Sequence, residues 1–310
     1  MTIRALYDVP APAKLNLHLH VVGRRADGYH LLDSVVVLID WSDTLHFERR
    51  DDGAVRRHDI GAALPPDDLC LRAARALQQA AACTLGADIR IDKRVPWGSG
   101  LGGGSSDAAS TLLALNRLWR LDWPLERLLP IGLALGADVP FFLAGSNARM
   151  RGIGERLHPV SVAPGWYAVV KPAAGLETRA VFAHPRVARA VEAARIAGFS
   201  EASLDSPRGE PRGLREIEPE LAAGAGRNDL QAAAEDLCPD VARAAALLRD
   251  AFGNSRMTGS GSAVFARVAE ASDGSMPPAA MPADRLPGWS GRMCRSLERH
   301  PLAAWARHEG

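Results

Sequence analysis

The sequence predicts an α+β protein, and three features support this class. Stretches with strand and helix periodicity follow one another in irregular order, without the βαβ alternation of a parallel sheet. The chain has 310 residues, of which 47% are hydrophobic, and this is enough for two cores of ordinary size. A glycine-rich segment at residues 96–106 lies between a predicted strand and a predicted helix. We therefore expect two domains, residues 1–155 and residues 156–310.

The first domain is predicted to begin with a group of strands. These strands cover residues 13–22, 34–40 and 44–48. In the first of them polar and apolar residues alternate, and this period of two places Lys14 and Asn16 on the same face. Asp27 and Gly28 form a turn signal before the second strand.

Helices are predicted for most of the remaining first domain. They cover residues 68–82, 106–119 and about 122–135, and a strand at residues 87–93 precedes the glycine-rich segment. Asp122 is expected to cap the third helix, with Pro124 in its first turn. Residues 136–140 are expected to end that helix, so that residues 141–143 pack beyond the break.

The second domain is predicted to mix strands and helices. Strands are expected at residues 166–170, 255–257 and 263–268, and helices at residues 186–197, 228–235 and 241–252. The polar stretch at residues 203–226 reads as a surface connection, and residues 269–290 read as a loop. Residues 258–262, Thr-Gly-Ser-Gly-Ser, form a second glycine-serine loop, a composition that is also typical of an ordinary hairpin turn.

The composition argues against several functional classes. The formal net charge is +1, so no strong field attracts nucleic acid or an anionic membrane. The sequence contains neither a run of about 18 apolar residues nor an N-terminal signal pattern, and a soluble, cytoplasmic protein is expected. The four cysteines lack CxxC spacing and are expected to be free thiols: Cys70, Cys83, Cys238 and Cys294.

Lysine is rare in this chain. Of the 37 basic residues only three are lysine, namely Lys14, Lys93 and Lys171. Arginine supplies the ordinary surface cations, so the retained lysines are candidates for positions that require a compact ammonium group.

The segment at residues 96–106 has the properties of an anion site. Its five glycines and three serines expose backbone N–H groups, and the following helix adds the positive end of its dipole. A flexible linker would have polar flanks, whereas both flanks here have ordered patterns. The segment lacks the lysine of a P-loop, and Asp122 does not follow a second strand as a dinucleotide fingerprint requires. It therefore represents another phosphate-binding design.

Several separated motifs together resemble the GHMP small-molecule kinases. The general family pattern is matched by residues 12–17, 96–106 and 257–262. Residues 24–30, 100–109, 136–142 and 227–230 are similar to one branch of that family. The resemblance implies a two-domain fold with the active site in the cleft between the domains. For this branch it implies ATP-dependent phosphorylation of the 2-hydroxyl of a cytidine-diphosphate-linked methylerythritol in non-mevalonate isoprenoid synthesis, with ATP and Mg²⁺ as cofactors.

The resemblance also implies roles for individual residues. Asp138 would act as the general base, and Lys14 would stabilise the developing alkoxide. The ATP-binding residues would be Lys93, Pro96, Trp97, Gly98, Ser99, Gly100, Leu101, Gly102, Gly103, Gly104, Ser105 and Ser106. The substrate-binding residues would be Asn16, Tyr29, His30, Thr178 and Phe182, with the aromatic rings enclosing the cytosine.

More ordinary interpretations of these residues also exist. Asp138, Ser105 and Ser106 could act as helix caps, and Asp107 is expected to interact only with the helix dipole. Tyr29, His30 and Phe182 could be packing residues. These interpretations and the catalytic ones are compatible in part, because a capping residue can also react.

The sequence departs from the family pattern at two positions near the expected adenine site. Asp68 stands where asparagine is expected, and Trp97 replaces a smaller apolar residue. Two alternative functions stay open at this point. One is a GHMP kinase for another small alcohol, such as homoserine or mevalonate, and the other is a nucleotide-binding sensor without turnover.

Overall fold

The computed structural model describes residues 3–61, 63–188, 215–216, 226–269, 281 and 286–306. The strands are β1 (Ala5–Arg24), β2 (His30–Arg50), β3 (Val55–Ile60), β4 (Gly86–Asp92), β5 (Ala148–Gly152), β6 (Arg156–Ser161), β7 (Trp166–Lys171), β8 (Arg215–Glu216), β9 (Arg256–Met257), β10 (Val264–Val268) and β11 (Ser290–Leu297). The helices are α1 (Leu69–Ala80), α2 (Gly103–Leu118), α3 (Leu125–Leu135), α4 (Val139–Ala144), α5 (Thr178–Phe182), α6 (Gln231–Leu237) and α7 (Pro239–Phe252), with a 3-10 turn at Ala303–Trp305. This mixture confirms the predicted α+β class.

The long hairpin of β1 and β2 is the centre of the fold. Its turn is closed by the N–H of Arg25, which donates to the carbonyl of Tyr29 at 2.7 Å. Gly28 has a φ of +93°, which glycine adopts without steric cost, and the Asp27 carboxylate accepts the N–H of Tyr29 at 3.2 Å. This turn sets Tyr29 and His30 at the end of the hairpin.

Strand β2 connects the two halves of the chain within one sheet. It pairs antiparallel with β1, β4, β5 and β11, and β3 lies parallel to β4. From β2 the sheet continues through β11, β7, β10 and β9 on one side and through β5, β6 and β8 on the other. The predicted domain boundary at residues 155 and 156 falls in the turn between the paired strands β5 and β6, and it stays a prediction.

The buried apolar side chains form three main clusters. The first surrounds α1 to α4 and includes Leu112 and Phe141, and the second packs α6 and α7 against β7 and β10. The third cluster joins β1 and β2 to β7 and β10, and it includes Leu15, Tyr167 and Phe265. Because this third cluster contains residues from both halves, it packs β1 against both of them.

The predicted strands at residues 34–40 and 44–48 form one strand, β2. The residues between them include Asp43, which is fully buried. Its carboxylate accepts the N–H groups of Arg94 at 2.5 Å and Val95 at 2.7 Å. The strand continues through this charged residue because distant backbone donors satisfy it.

Two expectations about the helices were wrong in detail. Asp122 does not cap α3, because its φ is +49° and Pro124 occupies the N-cap position. The side chain of Asn116 determines this geometry, since it binds both the N–H and the carbonyl of Trp123 at 3.0 Å. Asp107 does not lie in the first turn of α2, because the helix begins at Gly103 rather than at residue 106.

Several elements were missing from the sequence prediction. They are β3, β5, β6, β8, β11, α4, α5 and the 3-10 turn, which are short or carry charged residues at partly exposed positions. Most of the helix predicted at residues 186–197 and most of the segments at residues 203–226 and 269–290 lie outside the described residues. The four cysteines are unpaired, as expected. None of the helices among the described residues has the length and apolar character needed to span a membrane.

His300 provides a testable link between packing and pH. It is 2% exposed, its Nδ1 accepts the N–H of Leu302 at 3.1 Å, and burial lowers its pKa to about 4. The unfolded chain therefore takes up this proton at a higher pH than the folded chain. We expect the free energy of unfolding to fall as the pH decreases from about 6.5 to about 4, by up to about 1.4 kcal/mol per pH unit.

Urea unfolding at several pH values measures this dependence. The His300→Gln variant should show a smaller slope over the same interval, because its amide does not titrate. The His58→Gln variant is the control, since that ring is 57% exposed. Equal slopes for the wild type and His300→Gln would contradict the assignment of a buried neutral imidazole.

Candidate active site

One cavity, of about 1100 Å³, brings together elements from both halves of the chain. The sequence-predicted residues in its wall are Lys14, Asn16, Tyr29, His30, Gly98, Gly100, Gly102, Ser105, Asp138, Thr178 and Phe182. Gly259, Ser260 and Gly261 of the second glycine-serine loop also line it. The cavity has the size and the concave form of a small-molecule site.

The glycine loop, residues 96–106, alternates between residues that face the cavity and residues that anchor the loop. Gly98, Gly100 and Gly102 line the cavity and have φ values of +59°, +75° and +74°. Ser99 and Leu101 between them are buried. The carbonyl of Leu101 accepts the N–H of Lys14 at 2.9 Å, which attaches the loop to β1. Bare backbone is therefore presented to the cavity at every second position.

The C-terminal loop, residues 258–262, lies directly on the glycine loop. The N–H of Ser262 donates to the carbonyl of Gly98 at 3.2 Å, and the N–H of Ala263 donates to the carbonyl of Ser99 at 3.0 Å. A Cβ at Gly100 would lie 2.2 Å from the carbonyl oxygen of Thr258. The two loops thus form a single surface, and their contact at Gly100 leaves no room for a side chain at that position.

Helix α2 begins at the edge of the cavity. Gly102 is its N-cap residue, and the first N–H groups of any helix lack acceptors within that helix. Ser105, in the first turn, lines the cavity, and its Oγ would lie 3.8 Å from a Cβ at Gly136. The free N–H groups and the helix dipole favour a bound phosphate at this position.

Lys14 and Asp138 form an ion pair in the same cavity. The Lys14 Nζ lies 3.7 Å from the Asp138 Oδ2, and the two side chains are 4% and 36% exposed. Burial lowers the pKa of Lys14, and the charge of Asp138 opposes this shift. Asp138 occupies the N-cap position of α4, but its side chain makes no capping hydrogen bond. Its carboxylate is therefore available to the cavity.

Aromatic rings line another part of the cavity. The rings of His30 and Phe182 stack with a centroid distance of 5.1 Å and an interplanar angle of 27°. Burial lowers the pKa of His30, and the nearby charge of Arg24 adds to this effect. Tyr29 is 62% exposed, and the hydroxyl of Thr178 lies 2.9 Å from that of Ser260. This region suits a flat, polar ring.

Other residues of the predicted ATP site lie outside the cavity wall. They are Lys93, Pro96, Trp97, Ser99, Leu101, Gly103, Gly104 and Ser106. The ammonium group of Lys93 pairs with the buried carboxylates of Asp43 and Asp107, the latter at 2.6 Å. These two charges raise the pKa of Lys93 against the effect of its burial. Lys93 thereby attaches the base of the glycine loop to α2.

Ser106 also has a structural partner. Its hydroxyl donates to the carbonyl of Pro12 at 2.7 Å, and the side chain is fully buried. Ser99 similarly donates to the carbonyl of Pro96 at 2.7 Å. Of the loop serines, Ser105 is the one whose side chain lines the cavity.

The two departures from the family pattern have different surroundings. Asp68 is the N-cap of α1, where its Oδ1 accepts the N–H of Leu71 at 3.0 Å and lies 2.8 Å from the Arg57 guanidinium. Arg57 therefore compensates the charge that an aspartate adds at this position. Trp97 is 57% exposed beside the glycine loop.

Sequence reasoning missed two arginines of the cavity wall, Arg24 and Arg179. The guanidinium of Arg24 donates to the carbonyl of Gly28 at 3.1 Å. Both arginines are adjacent to residues that the motifs identified, since Arg24 begins the hairpin motif and Arg179 follows Thr178. Their position next to motif residues was the signal in the sequence that could have identified them as part of the site.

The residues for a metal ion are limited. No group of three or more His, Cys, Asp and Glu side chains with metal-binding geometry occurs in the part of the chain that the structure describes. Mg²⁺ in kinases needs few protein ligands, because substrate phosphates and water fill most of its coordination sphere. A Mg²⁺ ion held mainly by phosphates fits this cavity, with the Ser105 hydroxyl available at its edge.

Comparisons with known proteins agree with this geometry. Residues 68–146 match the model of the GHMP kinases N-terminal domain, and residues 208–275 match that of the GHMP kinases C-terminal domain. The chain is 59% identical over 308 residues to the 4-diphosphocytidyl-2-C-methyl-D-erythritol kinase of Methylibium petroleiphilum, covering 99% of this chain and 100% of the relative. It is 52% identical over 317 residues to the enzyme of the same name from Verminephrobacter eiseniae, with the same coverage.

Solved structures extend the comparison to the fold. A crystal structure of 4-(cytidine 5'-diphospho)-2C-methyl-D-erythritol kinase superposes with a TM-score of 0.70 at 33% identity, covering 94% of this chain and 98% of the other. A homoserine kinase from Cytophaga hutchinsonii, at 18% identity, shares the fold with a TM-score of 0.63 over 96% and 95% of the two chains. The chain therefore belongs to the 4-diphosphocytidyl-2-C-methyl-D-erythritol kinase branch of the GHMP kinases, a family of ATP-dependent small-molecule kinases.

Proposed function

We propose that this kinase transfers the γ-phosphate of ATP to the 2-hydroxyl of 4-diphosphocytidyl-2-C-methyl-D-erythritol, a step of non-mevalonate isoprenoid synthesis. One observation carries the proposal: a single cavity contains the glycine loop, the Lys14–Asp138 ion pair and the stacked rings of His30 and Phe182. These three groups correspond to the needs of a phosphate donor, an acceptor hydroxyl and a nucleobase. The relatives that carry this enzyme name support the choice of substrate.

Asp138 is the proposed general base. The oxygen of the substrate hydroxyl forms a bond to the γ-phosphorus, and the bond from that phosphorus to the β-γ bridging oxygen breaks, so that ADP leaves. The hydroxyl proton passes to the Asp138 carboxylate. The carboxylate suits this role because it lines the cavity and makes no capping bond. Because phosphoryl transfer has a loose transition state, proton removal can be late in the reaction.

Lys14 is the proposed charge stabiliser. Its ammonium group lies on the same side of the cavity as the Asp138 carboxylate, at 3.7 Å. A positive charge here favours the ionised carboxylate and the negative charge that develops on the attacking oxygen. Burial strengthens this electrostatic interaction, since little water screens it.

The phosphates would be held by the backbone of the glycine loop and the first turn of α2. Gly98, Gly100 and Gly102 permit the close approach of phosphate oxygens, and the Ser105 hydroxyl can donate to them. Mg²⁺, when bound with ATP, would neutralise part of the phosphate charge. For the adenine, Lys93 and the start of α1 at Asp68 stay predicted contacts, and the exposed Trp97 stays a predicted ATP contact of this loop.

The cytosine would be enclosed by His30 and Phe182, with Tyr29 at the open side. The two rings now touch each other at 5.1 Å between centroids. A pyrimidine stacked between them requires about 7 Å, so the rings must separate by about 2 Å when the base enters. Phe182 is the last residue of helix α5 and is only partly buried, so the displacement falls on the end of this helix and not on the buried Val181.

A coupled assay of ADP release tests the proposed substrate. The purified protein is assayed with ATP and Mg²⁺ against 4-diphosphocytidyl-2-C-methyl-D-erythritol, homoserine and mevalonate. Phosphorylation of the cytidyl compound alone is expected. Turnover of homoserine or mevalonate without turnover of the cytidyl compound would overturn the substrate assignment, and binding of ATP without any turnover would indicate a sensor.

A further inference from the structure

Asn16 is a buried residue whose side chain connects Lys14 to the C-terminal loop. It is 5% exposed on β1, two residues after Lys14. Its Oδ1 accepts three hydrogen bonds, from the Lys14 Nζ at 2.5 Å, the Gly259 N–H at 2.9 Å and the Thr258 hydroxyl at 3.2 Å. Its backbone N–H donates to the Thr258 hydroxyl at 3.0 Å. One amide thus contacts both the ammonium group and the C-terminal loop.

The direction of the amide is determined by its neighbours. The Ser34 hydroxyl donates its hydrogen to the carbonyl of His18 at 2.5 Å, so its oxygen must accept from the Asn16 Nδ2 at 2.8 Å. The Asn16 oxygen is then directed toward Lys14 and Gly259. This arrangement requires a residue that donates on one side and accepts on the other, and asparagine provides both groups.

These contacts differ from the substrate-binding role that the resemblance implies for Asn16. The amide oxygen already has three donors within the protein, and one amide hydrogen is used by Ser34. We infer that Asn16 is a positioning residue, which holds the Lys14 ammonium group and the Thr258–Gly259 backbone as one unit. The inference rests on the proposed function only in giving Lys14 a role in turnover.

The surroundings of Lys14 make its ammonium group sensitive to Asn16. Asp138 is the charged group whose interaction with Lys14 opposes the effect of burial. Two neighbours of Lys14 on other elements are uncharged. Leu38 of β2 is its strand partner, and Gly102 of the glycine loop lies beside its side chain. The Asn16 oxygen therefore accounts for much of the polar contact that a buried ammonium needs.

Asn228 provides a matched comparison at the same loop, because it contacts the carbonyl of Gly259 whereas Asn16 contacts its N–H. It is 6% exposed, and its Nδ2 donates to the carbonyls of Met257 at 2.9 Å and Gly259 at 2.8 Å. Its Oδ1 accepts the N–H of Leu230 at 2.9 Å. Asn228 therefore supports the C-terminal loop through backbone carbonyls, whereas Asn16 supports the loop and Lys14 together.

The scarcity of lysine allows a direct test that does not depend on activity. A protein labelled with ¹³C at the lysine ε carbons should give three signals, for Lys14, Lys93 and Lys171, which Lys93→Arg and Lys171→Arg variants assign. The signal of Lys14 is titrated in the wild type and in the Asn16→Leu, Asn16→Asp and Asn228→Leu variants. Thermal unfolding of each variant confirms that it is folded, and Asn16→Asp, which keeps the size and the acceptor oxygen, replaces Asn16→Leu if the latter does not fold.

We expect opposite shifts in the two Asn16 variants. The pKa of Lys14 should fall by at least about half a unit in Asn16→Leu, which loses an acceptor, and rise by a similar amount in Asn16→Asp, which adds a negative charge. Asn228→Leu should leave it unchanged. An unchanged pKa of Lys14 in Asn16→Leu, or in Asn16→Asp, or an equal shift in Asn228→Leu, would overturn the inference.

Steady-state kinetics supply the second readout, with whichever alcohol the substrate assay identifies. The alkaline limb of the kcat profile should move in the same direction as the Lys14 titration in each Asn16 variant, and kcat of Asn16→Leu should fall at least about tenfold. Asn228→Leu should raise the KM for ATP without moving the limb. If the titration shifts and the kinetic limb does not, the role of Lys14 in turnover fails while the positioning contact stands.

Discussion

Replacing Asp138 with asparagine should lower kcat by roughly 10² or more, the scale of the loss of a general base. The amide has nearly the same size as the carboxylate, so the fold and the Lys14 side chain should be disturbed little. Asparagine cannot take up the hydroxyl proton, and it no longer supplies the negative charge 3.7 Å from Lys14. The binding of ATP should persist, because the glycine loop and the first turn of α2 are unchanged.

The measurement combines turnover with nucleotide affinity. ADP release gives kcat for the wild type and Asp138→Asn, and calorimetry gives the affinity for ATP. Asp8→Asn is a suitable control, since its side chain is 88% exposed and it does not line the cavity. Unchanged turnover in Asp138→Asn would remove the base from the proposed mechanism, and a large loss of ATP affinity would assign Asp138 to nucleotide binding.

The Gly100→Ala substitution should destabilise the protein and weaken ATP binding together. Its φ of +75° costs an alanine about 1–2 kcal/mol. The added Cβ would lie 2.2 Å from the Thr258 carbonyl oxygen, and such overpacking against backbone adds about 1–3 kcal/mol. Separation of the two loops should then lower the Tm by about 5 °C or more and raise the KM for ATP at least about tenfold.

Alanine substitutions at two other glycines distinguish the cost of the positive φ from the cost of overpacking. Gly253 has the same φ of +75° but no atom within 4 Å of its Cβ position, so Gly253→Ala should show the conformational cost alone. Gly104 lies in α2 with its nearest contact, Leu69 Cδ1, at 3.6 Å, so Gly104→Ala should keep the Tm or raise it. A Tm for Gly100→Ala equal to that of Gly253→Ala would contradict the close contact between the loops.

Local patterns predicted much of this fold because their physical causes are local. The alternation at residues 13–22 reports a strand, and the glycines of residues 96–106 report a backbone that must approach other groups closely. The same local view divided β2 at Asp43 and assigned the cap of α3 to Asp122. In both cases a distant or neighbouring side chain, rather than the intrinsic preference of the residue, determined the backbone.

In the candidate site, too, the motifs predicted which residues take part, whereas the contacts of each residue depend on the tertiary structure. The motifs selected Lys14, Asp138, His30 and Phe182, and the structure brings them into one cavity. They did not indicate that Lys93 is held by two carboxylates, because its partners lie 50 and 14 positions away in the sequence. Arg24 and Arg179 were missed because the chemistry of a surface arginine is not distinctive until the cavity is known.

The sequence by itself determined the class of fold, the family resemblance and the residue types that can bind phosphate and move a proton. Tertiary structure decided which polar atoms are available to a ligand and which are already committed to the protein. Asn16 is the clearest example, since its side-chain oxygen accepts a hydrogen bond from Thr258, 242 positions away in the sequence. Hydrogen-bond partners at such separations depend on how whole strands pack, and periodicity within a short window contains no information about them.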